Sequence, residues 1–119
     1  MRDNRRYTRV SIRSVADIEL PDGTSDNAYL GEISRGGMEM YTRSELQKNA
    51  TYTIKPYFLF EGHELTETLK GQVKWSSSIK NDFIAGIQFT KVVTKENYPS
   101  LSLCIEQAEA YNQYFFIKG

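Results

Sequence analysis

Apolar and polar side chains alternate with period two from residue 10 to residue 20. Val10, Ile12, Ser14, Ala16, Ile18 and Leu20 fall on one face, and Ser11, Arg13, Asp17 and Glu19 on the other, with Val15 as a misfit on the polar face. Successive side chains of a strand point to opposite faces, so the pattern predicts one long half-buried strand. Pro21-Asp22-Gly23 ends it. Proline presets φ, aspartate bonds its local backbone, and glycine accepts positive φ.

Ala28 to Ile33 predicts a second, short strand. The Gly36-Gly37 pair permits a sharp change of direction, and Gly37 to Tyr41 resumes an extended course. Arg43 to Asn49 is a polar connection with room for a helical turn. Thr51 to Phe60 is dense in β-branched and aromatic residues, as strands are. Pro56 inside it lacks an amide donor, which predicts an edge position or a bulge. Glu61-Gly62-His63 reads as a hairpin tip. The next strand is expected from Leu65 to Ser76, anchored by Leu65, Leu69, Val73 and a core Trp75. A loop through Ser76-Ser77-Ser78 and Asn81-Asp82 then leads to a last strand, Phe83 to Val93. Six strands with short links and no helices between them predict a mainly β fold, an antiparallel sheet closed into a small six-stranded barrel.

After residue 94 the period becomes helical. Asn97-Tyr98-Pro99 fits a helix start, because proline is tolerated in the first turn. Leu101, Cys104 or Ile105, Ala108, Tyr111 or Asn112, and Phe115 form an apolar stripe. One C-terminal α-helix of about four turns is therefore expected to pack on the barrel. The apolar end Phe115-Phe116-Ile117 suits docking on the barrel or dimerisation. The chain divides into an arm at residues 1–9, a barrel at 10–94 and a helix at 95–119.

Composition narrows the function. Fifteen cations balance fifteen anions in a chain of 119 residues, so no global basic field collects nucleic acid. The single cysteine, Cys104, excludes an intrachain disulfide and fits a reducing cytoplasm. No apolar run approaches membrane-spanning length and no leader pattern is present, so a soluble cytoplasmic protein without membrane insertion is expected. The only histidine, His63, sits on the hairpin tip and has no nucleophile beside it, and no phosphate-binding glycine loop of nucleotide hydrolases is found. No catalytic residue, metal ligand or bound cofactor is assigned, and an enzyme is not expected.

The charge is nevertheless uneven. Arg2, Arg5, Arg6, Arg9 and Arg13 crowd the first thirteen residues against one acid, Asp3. Only Arg35 and Arg43 follow, and every other later cation is lysine. Arginine presents a planar fork that grips phosphate with two bonds and stacks on flat rings. The second candidate feature is the loop Glu32-Ile33-Ser34-Arg35-Gly36-Gly37.

These residues resemble the PilZ domain family. Arg5-Arg6-Tyr7-Thr8-Arg9-Val10 is similar to its Arg-x-x-x-Arg arm and first strand, and Glu32-x-Ser34-x-x-Gly37 to its Asp/Asn-x-Ser-x-x-Gly loop. Gly71-Gln72-Val73-Lys74-Trp75 resembles its Gly-x-Val-x-Trp strand, and Gly86-Ile87-Gln88-Phe89 its closing strand. The resemblance implies a bacterial receptor for the second messenger cyclic di-GMP, acting through an unidentified effector protein of flagellar, polysaccharide-synthesis or pilus machinery. By position it assigns the phosphates and a guanine to Arg5 and Arg9, with Arg6 as helper. It assigns a guanine edge to Glu32 and Ser34, the loop's backbone course to Gly37, and an added phosphate contact to Arg35. Guanine's N1–H and N2–H₂ edge suits a carboxylate, and its O6/N7 edge suits an arginine fork. Ligand binding would then pin the arm against the barrel of a monomer or weak homodimer.

Glu32 departs from the family pattern by one methylene. That departure favours an alternative, a PilZ-like module that has lost nucleotide binding and works by protein contact. A barrel stacking single-stranded nucleic acid on its aromatics is a second rival, disfavoured by the neutral charge and the scattered lysines.

Overall fold

The computed structural model describes residues 7–12 and 14–118, with side-chain surroundings through residue 110. Its strands are β1 (Val10–Ser11), β2 (Val15–Glu19), β3 (Ser25–Ile33), β4 (Gly37–Thr42), β5 (Thr51–Phe60), β6 (His63–Thr66), β7 (Leu69–Ile79) and β8 (Asp82–Phe89), followed by helix α1 (Pro99–Lys118). All pairings are antiparallel. β3, β2, β5, β7, β8 and β4 are neighbours in that order, and β4 returns to β3. This is the expected closed six-stranded barrel. Two short strands lie outside the ring: β1 pairs with β3 and β6 with β5.

The single long strand expected from Val10 to Leu20 is two segments on the same neighbour. Val10 lies opposite Ile33 and Val15 opposite Tyr29, so the register along β3 slips by one residue between β1 and β2. Inward alternation survives the slip: Val10, Ala16 and Ile18 are buried, and the misfit Val15 is exposed. The strand expected from Leu65 to Ser76 is likewise two, β6 and β7. The serine run lies within β7, and the turn is confined to Lys80-Asn81. β8 ends at Phe89 rather than Val93. Arg43 to Asn49 carries no helical turn and instead buries Leu46.

Pro56 corrects the expectation of an edge strand. β5 is paired on both sides, with Pro56 opposite Ala16 of β2. On the other side the β7 ladder ends at Ile54 and the β6 ladder begins at Tyr57. The Pro56 carbonyl accepts from Thr66 Oγ1 at 2.8 Å on that side. A strand residue's N and C=O point the same way, so the missing donor falls in the gap between two partners.

Helix α1 begins at Pro99, as expected. Thr94 and Asn97 close the turn that precedes it with reciprocal bonds: the Thr94 amide donates to Asn97 Oδ1 at 2.8 Å, and the Asn97 amide to Thr94 Oγ1 at 3.2 Å. Within the helix, the Leu101 amide donates to Glu67 Oε1 at 2.9 Å, which removes a free donor of the first turn. Leu101, Ser102, Cys104 and Ile105 form the buried face, packed toward β1 and β6. Burial pushes the Cys104 thiol up, with the Glu67 carboxylate adding to the shift. The helical residues Tyr111, Asn112 and Phe115 to Ile117, expected to continue the stripe, have side chains outside the described region.

Candidate functional site

Two bulges shape the site. Leu30 pairs with Met40, but Ile33 pairs with Met38, so β3 carries an extra residue around Gly31-Glu32. Simple alternation from Ala28 and Leu30 would turn Glu32 inward. The bulge instead buries Ile33 and leaves the Glu32 carboxylate half-exposed at the surface. The second bulge is in β7, where Val73 pairs with Ile87 and Trp75 with Gly86. It interrupts the inward series Leu69, Gly71, Val73 and turns Trp75 outward, 41% exposed. Trp75 is therefore not the core residue that alternation predicts.

Between these bulges lies a cleft of about 400 Å³. Its walls include Tyr7, Arg9, Glu32, Ser34, Glu39, Lys74, Trp75 and Gln88. Gly86 also lines it, and a Cβ there would collide with the Trp75 indole. Gly37 is constrained as tightly, since a Cβ would run into the Ile87 carbonyl of the neighbouring β8.

The loop between β3 and β4 is held by its own backbone. The Ser34 amide donates to the Gly37 carbonyl at 2.8 Å, and the Gly36 amide donates to Ser34 Oγ at 3.2 Å. Phe89 and Val93 amides donate to the Gly36 and Arg35 carbonyls at 2.9 and 2.8 Å. The ring of Tyr7 lies against Gly36, 2.9 Å from where a Cβ would stand. The arm's last described residues thus already reach the loop.

The electrostatics centre on Arg9. Its Nη1 is 3.4 Å from Glu32 Oε1 and 3.4 Å from Glu39 Oε2. All three side chains remain partly solvated, so each pair is weak and exchangeable. The described lining holds two carboxylates, Glu32 and Glu39, against two cations, Arg9 and Lys74. It offers cationic and carboxylate donors and acceptors, a flat indole and a hydroxyl within one cleft.

Of the residues singled out by sequence, Arg9, Glu32, Ser34 and Gly37 line this cleft together. Arg5 and Arg6 lie outside the described residues. Arg35 points away, toward α1, with Nη1 donating to Ser102 Oγ at 3.0 Å and Nη2 3.5 Å from Glu109 Oε1. Sequence reasoning missed Glu39, Lys74, Trp75 and Gln88 as wall residues. Glu39 carried a signal, the polar position between Met38 and Met40, which are both buried. Trp75 carried none, because only the bulge turns it out. A second, larger cavity of about 760 Å³ is bordered by Val15, Tyr29, Phe58, Leu59 and Cys104. Glu64 is the only charged group in its described lining, so it is unsuited to an anion.

A small closed barrel with a charged cleft beside the loop between β3 and β4 is the class that fold and site define. The profile of the PilZ domain matches residues 3–106, and the chain belongs to the PilZ domain family. The fold is similar to the PilZ domain with c-di-GMP of YcgR from Escherichia coli, at TM-score 0.73 and 19% identity over 98% of this chain and 100% of that one. It is also similar to the Bacillus subtilis inhibitor of motility MotI/DgrA (TM-score 0.72, 14% identity, 89% of this chain and 52% of that one). The MrkH–c-di-GMP complex of K. pneumonia matches at TM-score 0.66 and 19% identity, over 94% of this chain and 56% of that one. The chain thus spans one whole relative and about half of the other two. No curated protein matches it.

Proposed function

We propose that the cleft is a receptor site for c-di-GMP and that the protein acts by passing the bound state to a partner, without chemistry on the ligand. The observation that carries this is the convergence of Arg9, Glu32, Ser34 and Trp75 on one cleft, drawn from three separate parts of the chain. Support comes from the family and from similar structures described as c-di-GMP complexes.

The chemistry matches group by group. The ligand carries two phosphates and two guanines. Arg9 supplies a fork for a phosphate or for a guanine O6/N7 edge. Glu32 and Ser34 accept from the N1–H and N2–H₂ edge. The exposed Trp75 indole offers a stacking face, worth roughly 1–3 kcal/mol per base. The described lining is electrically balanced, so a dianion needs more cations. Arg5 and Arg6 of the arm are the groups assigned to supply them, closing over the ligand from the Tyr7 side. On this reading Arg9 exchanges its two carboxylates for phosphate, and the closed arm forms the surface that a motility, exopolysaccharide or pilus component reads.

Trp75 is the only tryptophan, so its emission reports on the cleft directly. Titration with c-di-GMP should change that emission saturably, GMP at the same concentration should not, and Arg5→Ala and Arg9→Ala should each abolish the response. An unchanged emission together with wild-type thermal stability in excess ligand contradicts the proposal. A second reading, a barrel that works by protein contact alone, is favoured by the pairing of Arg9 with Glu32 and Glu39, which already satisfies it without ligand.

A further inference from the structure

We propose that Arg35 is a positioning residue that ties the cleft's loop to helix α1, so that filling the cleft and seating the helix are linked. The ligand-dependent half of this proposal rests on the c-di-GMP reading above. The loop-to-helix tie does not.

Arg35 lies between Ser34 and Gly36, beside the cleft, yet its side chain leaves it. Nη1 donates to Ser102 Oγ at 3.0 Å, and Nη2 stands 3.5 Å from Glu109 Oε1. Ser102 and Glu109 are seven residues apart on α1, two turns along one face, so both face the same guanidinium. Ser102 is buried in the packed face of the helix between Leu101 and Ile105. The Arg35 and Glu109 side chains are only 25% and 28% exposed, so this pair is screened less than a surface ion pair. Arginine's fork addresses the hydroxyl and the carboxylate at once, which lysine's single ammonium cannot reproduce in the same geometry.

The backbone completes the tie. The carbonyl of Arg35 accepts from the Val93 amide at 2.8 Å, and that of Gly36 from the Phe89 amide at 2.9 Å. The chain from Phe89 runs into the Thr94–Asn97 turn that immediately precedes α1. Arg35 therefore grips both the approach to the helix and the helix itself, while its neighbours Ser34 and Gly36 line the cleft. Any displacement of the loop that a ligand requires strains or releases this grip. Linkage then requires the reciprocal effect, that the grip on α1 sets how readily the loop accepts the ligand. Glu109, which does not line the cleft, becomes a determinant of ligand affinity.

The test uses the full chain as wild type, Arg35→Lys, Glu109→Gln, Arg35→Gln and the double variant Arg35→Gln/Glu109→Gln. Without ligand, hydrogen exchange is read at the amides of Ser34, Phe89 and Val93, which are bonded to the Gly37, Gly36 and Arg35 carbonyls. Glu109→Gln should speed exchange at these amides although it lies on the helix, and Arg35→Lys should do the same without unfolding the barrel. With c-di-GMP, Arg35→Gln and Glu109→Gln should each change affinity by about fivefold, the lower end of coupling between sites. The double variant should be no further from wild type than the larger single effect. Wild-type exchange at all three amides in Glu109→Gln overturns the tie. Additive effects in the double variant overturn the link to the cleft. If wild type binds no c-di-GMP, the ligand reading and with it the link to the cleft fail, and the exchange result still decides the tie.

Discussion

Arg9 holds the balance of the cleft because it stands between two carboxylates of different origin. Glu32 comes from the β3 bulge and Glu39 from the regular part of β4, and each lies 3.4 Å from the same guanidinium nitrogen. On the proposed reading Glu32 meets a guanine edge. Glu39 has no such assigned task, and its charge opposes any phosphate that approaches Arg9. An opposed unit charge in a partly solvated cleft costs on the order of 1 kcal/mol. Glu39→Gln should therefore tighten c-di-GMP about fivefold and increase the sensitivity of binding to salt, because the net attraction it leaves is screened. Titration at two ionic strengths checks this, and weaker binding would instead make Glu39 the group that orients Arg9. At Glu32 the extra methylene sets the carboxylate one bond further into the cleft than aspartate would. Glu32→Asp is the substitution that shows whether the bulge already absorbs that length.

At the scale of elements, the site is made where regular strands fail. The β3 bulge turns Glu32 out, the β7 bulge turns Trp75 out, and β4 starts at Gly37 under the Ile87 carbonyl. Gly37→Ala places a methyl group against that carbonyl, and overpacking of this kind costs about 1–3 kcal/mol. It should lower the thermal midpoint and separate β4 from β8 at the cleft's edge. Thermal unfolding with and without ligand checks both effects, and an unshifted midpoint would show that the β4–β8 contact yields. Most strands were legible in the sequence because period two and turn residues are local signals. Thr51–Phe60, the Pro21-Asp22-Gly23 turn and the Pro99 helix start all follow from neighbours within a few residues. The bulges were not legible. An extra residue in β7 is defined only against its hairpin partner β8, where Val73 meets Ile87 and Trp75 meets Gly86, and the alternation within β7 itself does not contain that register. Hence Trp75 reads as core by alternation yet stands at the cleft. The site's arginine and loop were legible only as motifs, and the direction of Arg35 toward Ser102 and Glu109, 67 and 74 residues away, has no local signature.

For the whole molecule, closure of the ring leaves the two short strands β1 and β6 outside it, and α1 packs toward both. Covering strand edges in this way removes a template for unwanted pairing. The same arrangement puts the arm, the loop and the helix on one connected surface, with Tyr7 on Gly36 and Arg35 on α1. The chain's charges cancel, fifteen against fifteen, so on the proposed reading attraction for an anion must come from the arginines near the start and not from the molecule's field. A receptor built this way should be selective for a compact dianion with two flat rings and indifferent to long polyanions. Calorimetric titration of the wild-type chain with c-di-GMP, at tens of micromolar protein, tests that claim most directly. The account predicts saturable heat at a defined stoichiometry that disappears in Arg9→Ala; no heat from the wild-type chain, with binding appearing only in Glu32→Asp, would contradict it.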